Sequence, residues 1–515
     1  MGWAALLMGL STLLSRFMGL FRDQVISYLF GATRESDLYF AAFVIPDFIN
    51  YLLAGAYFSI TLIPLLASRF EKDPEDAWQF FSSVVFWVAA AISLLTALGM
   101  GFASRLAFLA APGLSGEDLQ RLAGFLRIIL PAQVFFLVGS CFMAILYVRK
   151  QFLVPALAPI VYNLFIILGG ILLRSRGMEG FCWGVLVGSV FGHVVLPLCA
   201  VRFGGGLRLV SCFNHAGLKR FVVLALPLML GQSIVVLDEQ FLRVFGSMVG
   251  EGAVSWLNYG RRIMMVPVGV VAQAAGVASY PFLAELVARK DKTQFARTLN
   301  QALCNVVLLL VPLSVWMMVV AEPTISLVFQ QGRFSAADTQ ATSQVLRILL
   351  PVVVCWGVFQ VLGRAFYAHE DTLTPVLLGT GVTVLSVGLY YGLALKWRVD
   401  GVAAASALSI TIYTVALAVI WRRRFGKEAL DGLGARVPLV AGLSVLATGI
   451  GYPLSRLTLP PLMAYPALQA AWAIGISGLG FGTVFLLLVR LFAPHLAEPL
   501  LARLGSLGKR LASGS

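Results

Sequence analysis

The sequence predicts an all-α integral membrane protein of about 14 transmembrane helices, built as two six-helix lobes in parallel repeat plus two C-terminal helices. Three observations predict it: charge is scarce, apolar runs are long enough to cross a bilayer, and one segment recurs at a fixed offset. Of the 515 residues, 59% are hydrophobic and only 12% charged, and the mean hydropathy is +0.89. Soluble domains carry about 25% charged residues. Half that supply leaves too little polar surface to face water, so lipid must be the solvent for most of the chain. A spanning helix needs about 20 apolar residues, so this length is used up by spans and short loops.

Apolar runs of 18 or more residues between charge and turn punctuation fall at 3–30, 36–67, 77–103, 119–147, 152–173, 179–201, 218–247, 252–287, 298–320, 340–368, 374–395, 400–421, 437–455 and 465–489. The first lacks a basic stretch before it and holds Arg16 and Arg22, which reads as a retained span and not a cleaved signal. Arg69 and Lys72 punctuate spans 2 and 3, and Arg149 and Lys150 divide spans 4 and 5. Arg202, Arg208, Lys219 and Arg220 separate spans 6 and 7, and the pattern continues through Arg289–Arg297, Arg364, Arg422–Arg436 and the tail. This set of alternate loops holds 22 basic residues and the opposite set holds nine. The richer side is cytoplasmic, which puts both termini in the cytoplasm and the chain in a bacterial inner (cytoplasmic) membrane.

The third observation is internal. Leu126-Arg127-Ile128-Ile129-Leu130-Pro131 recurs as Leu346-Arg347-Ile348-Leu349-Leu350-Pro351, a shift of 220. The same shift carries Ser115, Asp118 and Gln120 onto Ser335, Asp338 and Gln340, Tyr147 onto Tyr367, and Pro155 onto Pro375. It spans six helices, an even number, so both copies share membrane orientation, as in parallel repeats that rock against each other. The expected limits are 1–213 for the N-lobe, 214–430 for the C-lobe, and 431–515 for the last two helices and tail.

Composition also excludes. The formal charge of +14 is spread over short loops and not along one folded face, so nucleic acid is not an expected partner. Cys141, Cys182, Cys199, Cys212, Cys304 and Cys355 are scattered without a CxxC pair and read as small buried hydrophobes. Four histidines lack ligand spacing, so no metal is expected.

Seven basic residues lie in spans or at their ends: Arg16, Arg22, Arg127, Arg243, Arg261, Arg262 and Arg347. An arginine at the bilayer centre costs about 2.5–3.5 kcal/mol even on the lenient insertion scale, so these should face a cavity, each other or a ligand. Ser11, Ser15, Met18 and Arg22 share one face of span 1, and Asp47 and Asn50 line up in span 2. Span 7 holds Asp238, Glu239 and Arg243, and span 8 sets Ser255, Tyr259 and Arg262 on one face. Arg127 and Arg347 read as structural, Arg243 as a partner for Asp238 or Glu239, Asp23 as a partner for Arg22, and Asp37 as a helix cap. Arg16, Arg22 and Arg262 remain. A guanidinium grips phosphate oxygens two at a time and stays charged when desolvated, so a cavity rich in arginine suits a phosphate or pyrophosphate. Cationic drugs would need net acid there.

The runs SRFMGLFRD (Ser15–Asp23), FGA (Phe30–Ala32), SDLYFAAFVIPDF (Ser36–Phe48), PALAPIVYNL (Pro155–Leu164), VSWLNYGRRIMMVPVGV (Val254–Val270), VFQQGRFSAADTQ (Val328–Gln340) and GRAFYAHEDTLTP (Gly363–Pro375) resemble, in order, those of the MurJ/MviN lipid II flippases of the multidrug/oligosaccharidyl-lipid/polysaccharide exporter superfamily. The resemblance implies a monomeric flippase for peptidoglycan biosynthesis, moving an undecaprenyl-pyrophosphate-linked glycan between leaflets by alternating access. It also implies driving by membrane potential or a Na+ or H+ gradient, no cofactor, and no partner besides substrate and membrane lipids. No GxxxxGK[ST] phosphate loop occurs, and the chain is expected to be a transporter and not an enzyme. By the same likeness the substrate-binding residues are Arg16, Arg22, Asp37, Asn50, Arg262 and Arg261, and the ion site involves Asp238 and Ser386.

The chain departs from the family pattern. Asn50 and Tyr51 stand where the family carries arginine in span 2, and Ala54-Gly55-Ala56-Tyr57 replaces an AEGA-like run. Gly260–Pro267 lacks the acid before the span-8 arginine and the polar residue after it, and Ser386 and Tyr390 replace the ion-site Asn and Asp of span 11. A flippase for another polyprenyl-linked oligosaccharide, or a drug/cation antiporter on the same fold, are the alternatives. A membrane glycosyltransferase would need acidic clusters at a membrane face, which the short loops lack.

Overall fold

The computed structural model describes residues 2–53, 57–203, 206–210, 212–230, 234–457 and 466–494. These form helices and no strand. They pack as two compact units, residues 1–258 with 332–334, and residues 259–331 with 335–515.

The first unit contains α1 (Gly2–Phe30), α2 (Arg34–Ala41), α3 (Val44–Leu53), α4 (Tyr57–Lys72), α5 (Pro74–Gly101), α6 (Ala103–Ala110), α7 (Gly116–Ile129), α8 (Ala132–Val148), α9 (Leu153–Leu172) and α10 (Glu179–Ser189). A π-helical turn, Val190–Val195, joins α10 to α11 (Leu196–Phe203), and α12 (Gly217–Leu230) and α13 (Ile234–Gly246) follow. The second unit takes most of α14 (Ala253–Pro267), then α15 (Gln273–Ala288), α16 (Lys292–Val319), α17 (Ala321–Phe329), α18 (Ala336–Leu349), α19 (Val352–Ala368), α20 (Leu373–Phe425), α21 (Leu433–Ser455) and α22 (Pro466–Phe492).

Local chemistry explains several starts. Asp73 accepts the Glu75 amide at 2.9 Å and Pro74 fills the first position of α5, where a missing N–H costs nothing. Asp291 does the same for Gln294 in α16 at 3.0 Å. The repeated Ser-x-x-Asp motif behaves differently in its two copies. In α18, Ser335 and Asp338 bond reciprocally as a capping box. In α7, Ser115 makes no side-chain cap bond, and Asp118 lies 3.3 Å from Arg34 Nε at the start of α2.

The span count of fourteen is not confirmed by length and apolarity. Among the described residues nine helices qualify, or ten if α18 and α19, bent by 44°, make one span. Part of the difference has a physical cause. Predicted span 2 is interrupted by a turn at Ala42 and Phe43 between α2 and α3, while the residues that join α3 to α4 and α12 to α13 lie outside the described residues. Predicted spans 11 and 12 are the two arms of α20, separated by non-helical backbone at Arg398 (φ 50°, ψ −127°). Ala54–Ala56 and the basic tail residues Arg503, Lys509 and Arg510 lie outside the described residues.

With no hydrophobic drive between helices in lipid, close backbone contact holds them together. The seam of α9 and α10 shows this: Gly180, Gly184, Gly188 and Gly192 recur every fourth residue. A side chain at Gly184 would meet Phe165 O at 2.6 Å and Ile166 Cα at 2.7 Å. A second core joins Phe80, Phe81 and Val84 of α5 to Phe142 and Leu146 of α8 and Phe221 and Ala225 of α12. In the second unit, Val307 and Val311 of α16 pack with Leu443 of α21 and Phe481 and Phe485 of α22. Cys141 and Cys182 are buried as expected, but Cys199 is exposed.

Candidate functional site

The helix α1 packs along α9, and that neighbour decides where its polar face goes. Ser11 Oγ donates to Ala156 O at 2.7 Å near one end. Toward the other end, Arg22 Nη1 donates to Asn163 Oδ1 at 3.2 Å, while Asn163 Nδ2 donates to Pro159 O at 2.8 Å. The face expected to line an aqueous chamber is therefore turned, at both Ser11 and Arg22, toward α9. Arg22 Nε and Nη2 also reach Asp23 Oδ1 at 3.1 and 2.9 Å, with the Arg22 side chain 15% exposed and Asp23 fully buried.

The guanidinium is thus neutralised one-for-one by its sequence neighbour, the partner expected for Asp23. Three of its five N–H groups are engaged by these bonds, leaving two without a protein acceptor among the described residues. Tyr39 Oη, buried on α2, has no hydrogen-bond partner among the described residues. Chemically the arrangement is a fixed, desolvated fork with donors to spare, suited to an anionic oxygen. Arg16, one turn and a half earlier, is exposed.

Asp37 caps a helix, but not its own. Thr33 and Ser36 cap α2 reciprocally. The Asp37 carboxylate instead accepts Gly252 N at 2.6 Å, Ser255 N at 2.8 Å and Ser255 Oγ at 2.7 Å. It satisfies the unpaired first amides of α14 with a negative charge at the favourable end of the helix. Gly252, at φ +80°, supplies the left-handed turn before α14. Both carboxylate oxygens of Asp37, expected among the substrate-binding residues, accept from protein donors here.

Arg243 of α13 reaches Glu239 as expected, and also Asp47 of α3, a partner absent from the sequence expectation. Gln240 Oε1 accepts from the same guanidinium at 3.1 Å. Asn50, one turn beyond Asp47, is half-buried. Asp238 is buried in the first unit.

The remaining candidates belong to the second unit. Arg261 is buried with its guanidinium carbon 5.8 Å from the Trp356 ring centroid, a cation–π contact. Arg262 is half-buried on α14. Ser386 Oγ donates to Val382 O at 2.7 Å, so its proton is spent within its own helix. Asp238 and Ser386, paired as an ion site from sequence, lie in different compact units. No group of three His, Cys, Asp or Glu residues suited to a metal occurs among the described residues. Arg347, expected to be structural, donates to Met318 O at 3.4 Å and lies 3.9 Å from Glu322.

Sequence reasoning missed Asn163 and Tyr39, although both fall inside motifs that carry the family resemblance, and a polar residue within PALAPIVYNL was the signal.

A family model described as lipid II flippase MurJ matches residues 26–467. A lipid II flippase MurJ from Burkholderia cenocepacia is 28% identical over 394 residues, 73% of this chain and 75% of that protein. A probable lipid II flippase MurJ from Bdellovibrio bacteriovorus is 26% identical over 95% of this chain and 93% of its own. Among solved structures, a lipid II flippase MurJ in an inward closed conformation aligns with TM-score 0.77 at 24% identity, covering 95% of this chain and 99% of that one. An inward-facing multidrug resistance MATE family transporter of the MOP superfamily aligns with TM-score 0.68 at 15% identity, covering 81% and 96%. At these identities the structural likeness is one of fold.

Proposed function

We propose that this chain, which belongs to the MurJ lipid II flippase family, carries lipid II from the cytoplasmic to the periplasmic leaflet for cell-wall biogenesis. The observation that supports the reading most directly is the family match across residues 26–467. The relatives carry the flippase name and lend no support to another polyprenyl-linked cargo or to drug export.

In this proposal Arg22 is the principal contact for the pyrophosphate. Two of its N–H groups are left over from the bonds to Asp23 and Asn163, and in a buried setting a charge-assisted bond to phosphate gains more than it does in water. Arg16, Arg262 and Arg261 supply further positive charge, and Asn50 contributes an amide. The chain moves cargo without making bonds, with the sequence lobes 1–213 and 214–430 alternating access and residues 431–515 attending the lipid tail. Both termini sit in the cytoplasm, the protein acts as a monomer, and membrane potential or a Na+ or H+ gradient drives the cycle.

Complementation of a strain depleted of its lipid II flippase tests this. Growth and normal shape are expected from the intact chain. Lysis despite correct membrane insertion would overturn the lipid II reading. Native mass spectrometry of the purified protein should find an undecaprenyl-pyrophosphate glycan bound.

A further inference from the structure

A groove of about 940 Å³, whose lining includes neither Arg22 nor its partners, runs along the first unit between α5, α8 and α12. Its floor is apolar, with Val88, Ile92, Leu95 and Leu137 among the lining residues, and Lys219 lines it too. We propose that this groove holds one acyl chain of an anionic phospholipid, whose headgroup phosphate rests on Lys219 and Arg220.

Length, charge and rigidity carry the proposal. From Val84 to Leu95 the lining runs eleven residues down α5, about 16 Å at helical rise. That matches one leaflet of a hydrocarbon core about 30 Å thick. A chain of ordinary length therefore fills the groove from its basic mouth to the bilayer midplane.

Charge sits only at one end. Lys219 and Arg220, in the first turn of α12, are both exposed, and neither has a carboxylate partner among the described residues. The nearby acid Asp76 is already taken by Arg69 at 2.6 Å and His215 at 2.9 Å. The mouth is therefore net positive, and a zwitterionic lipid would leave that charge unanswered.

The outer wall is fixed. Val210 N donates to Ser82 Oγ at 3.0 Å, Ser83 Oγ to Cys212 O at 2.6 Å, and Trp87 Nε1 to Phe213 O at 2.7 Å. His215 Nδ1 accepts the Gly217 amide at 3.0 Å, which makes its Nε2 the donor to Asp76. A loop tied to α5 at four points keeps the groove shaped whether or not lipid is present. That separates it from the general lipid-facing surface.

The full-length protein, purified in detergent and incubated with phosphatidylglycerol or phosphatidylcholine, tests this by native mass spectrometry. One phosphatidylglycerol per chain should survive activation that strips phosphatidylcholine. Lys219→Gln/Arg220→Gln should lower that occupancy at least fivefold. Ala91→Trp, which puts bulk on an exposed lining position, should lower it equally while thermal unfolding is unchanged. Equal retention of both lipids, or wild-type occupancy in Ala91→Trp, would overturn the proposal. So would a polyprenyl lipid lost from Ala91→Trp while phosphatidylglycerol stays. Since no variant touches Arg22, flipping that persists with the groove emptied leaves the transport reading intact.

Discussion

Arg243 and Asp47 are 196 residues apart and meet at 2.7 Å, which ties α13 to α3 inside the first unit. Glu239 closes on the same guanidinium at 2.5 Å. Removing the arginine strands two carboxylates together in a half-buried place, and breaking such a pair costs about 3 kcal/mol or more when fully buried. With Asp47 and Glu239 30% and 32% exposed, Arg243→Ala should lose less, about 2 kcal/mol. Thermal unfolding in detergent measures it, and a cycle with Asp47→Asn should show coupling of about 1 kcal/mol. Strict additivity would mean the pair contributes nothing.

Arg22 holds Asp23 and Asn163 with different edges of one planar group. A lysine concentrates its charge on one nitrogen and lacks the planar fork that serves both and still has donors to spare. Arg22→Lys should therefore impair lipid II flipping at least tenfold in a leaflet-accessibility assay, and Arg22→Ala should abolish it with expression kept. Wild-type rates in both variants would remove Arg22 from the substrate path.

Gly184 faces the α9 backbone with no space for a methyl group. Gly184→Ala should cost about 1–3 kcal/mol through overpacking, and Gly184→Leu should prevent accumulation of the folded protein. Fluorescence size-exclusion of the two variants would show a graded loss of the monodisperse peak. An alanine variant as stable as wild type would mean the seam opens freely.

Asp371 lies between α19 and α20. Burial pushes its carboxyl up, but the Thr374 amide and hydroxyl and the Arg424 guanidinium donate to it and hold it below the ordinary value. A depressed carboxylate stabilises the fold above its unfolded value of about 3.9 and loses that contribution as pH falls through the folded one. The stability gap between wild type and Asp371→Ala should be about 1 kcal/mol, level from neutral pH to about pH 4, and narrower below. A gap that grew on acidification would reverse the sign.

Fold class was legible because it depends on bulk quantities: too few charges for water, and apolar runs of bilayer length. The turn between α2 and α3 inside span 2 was not legible, since hydropathy averages across a broken helix as readily as a whole one. For the site, residue type was readable and partnership was not. Arg22 stood out as a charge among apolar residues, and its neighbour Asp23 was visible one residue away. Asn163, which orients the same guanidinium from another helix, needs the fold to bring it there. The partners of Asp37 were hidden for a related reason: its acidity was plain, but its three donors sit more than 200 residues downstream.

The twin Ser-x-x-Asp motifs in α7 and α18 put one pattern to two uses. In one copy the acid finishes its own helix; in the other it is released to grip Arg34 on a different one. Identical letters at matched places thus do different mechanical work. Replacing Asp338 would fray a helix end, whereas replacing Asp118 would loosen a joint between neighbours.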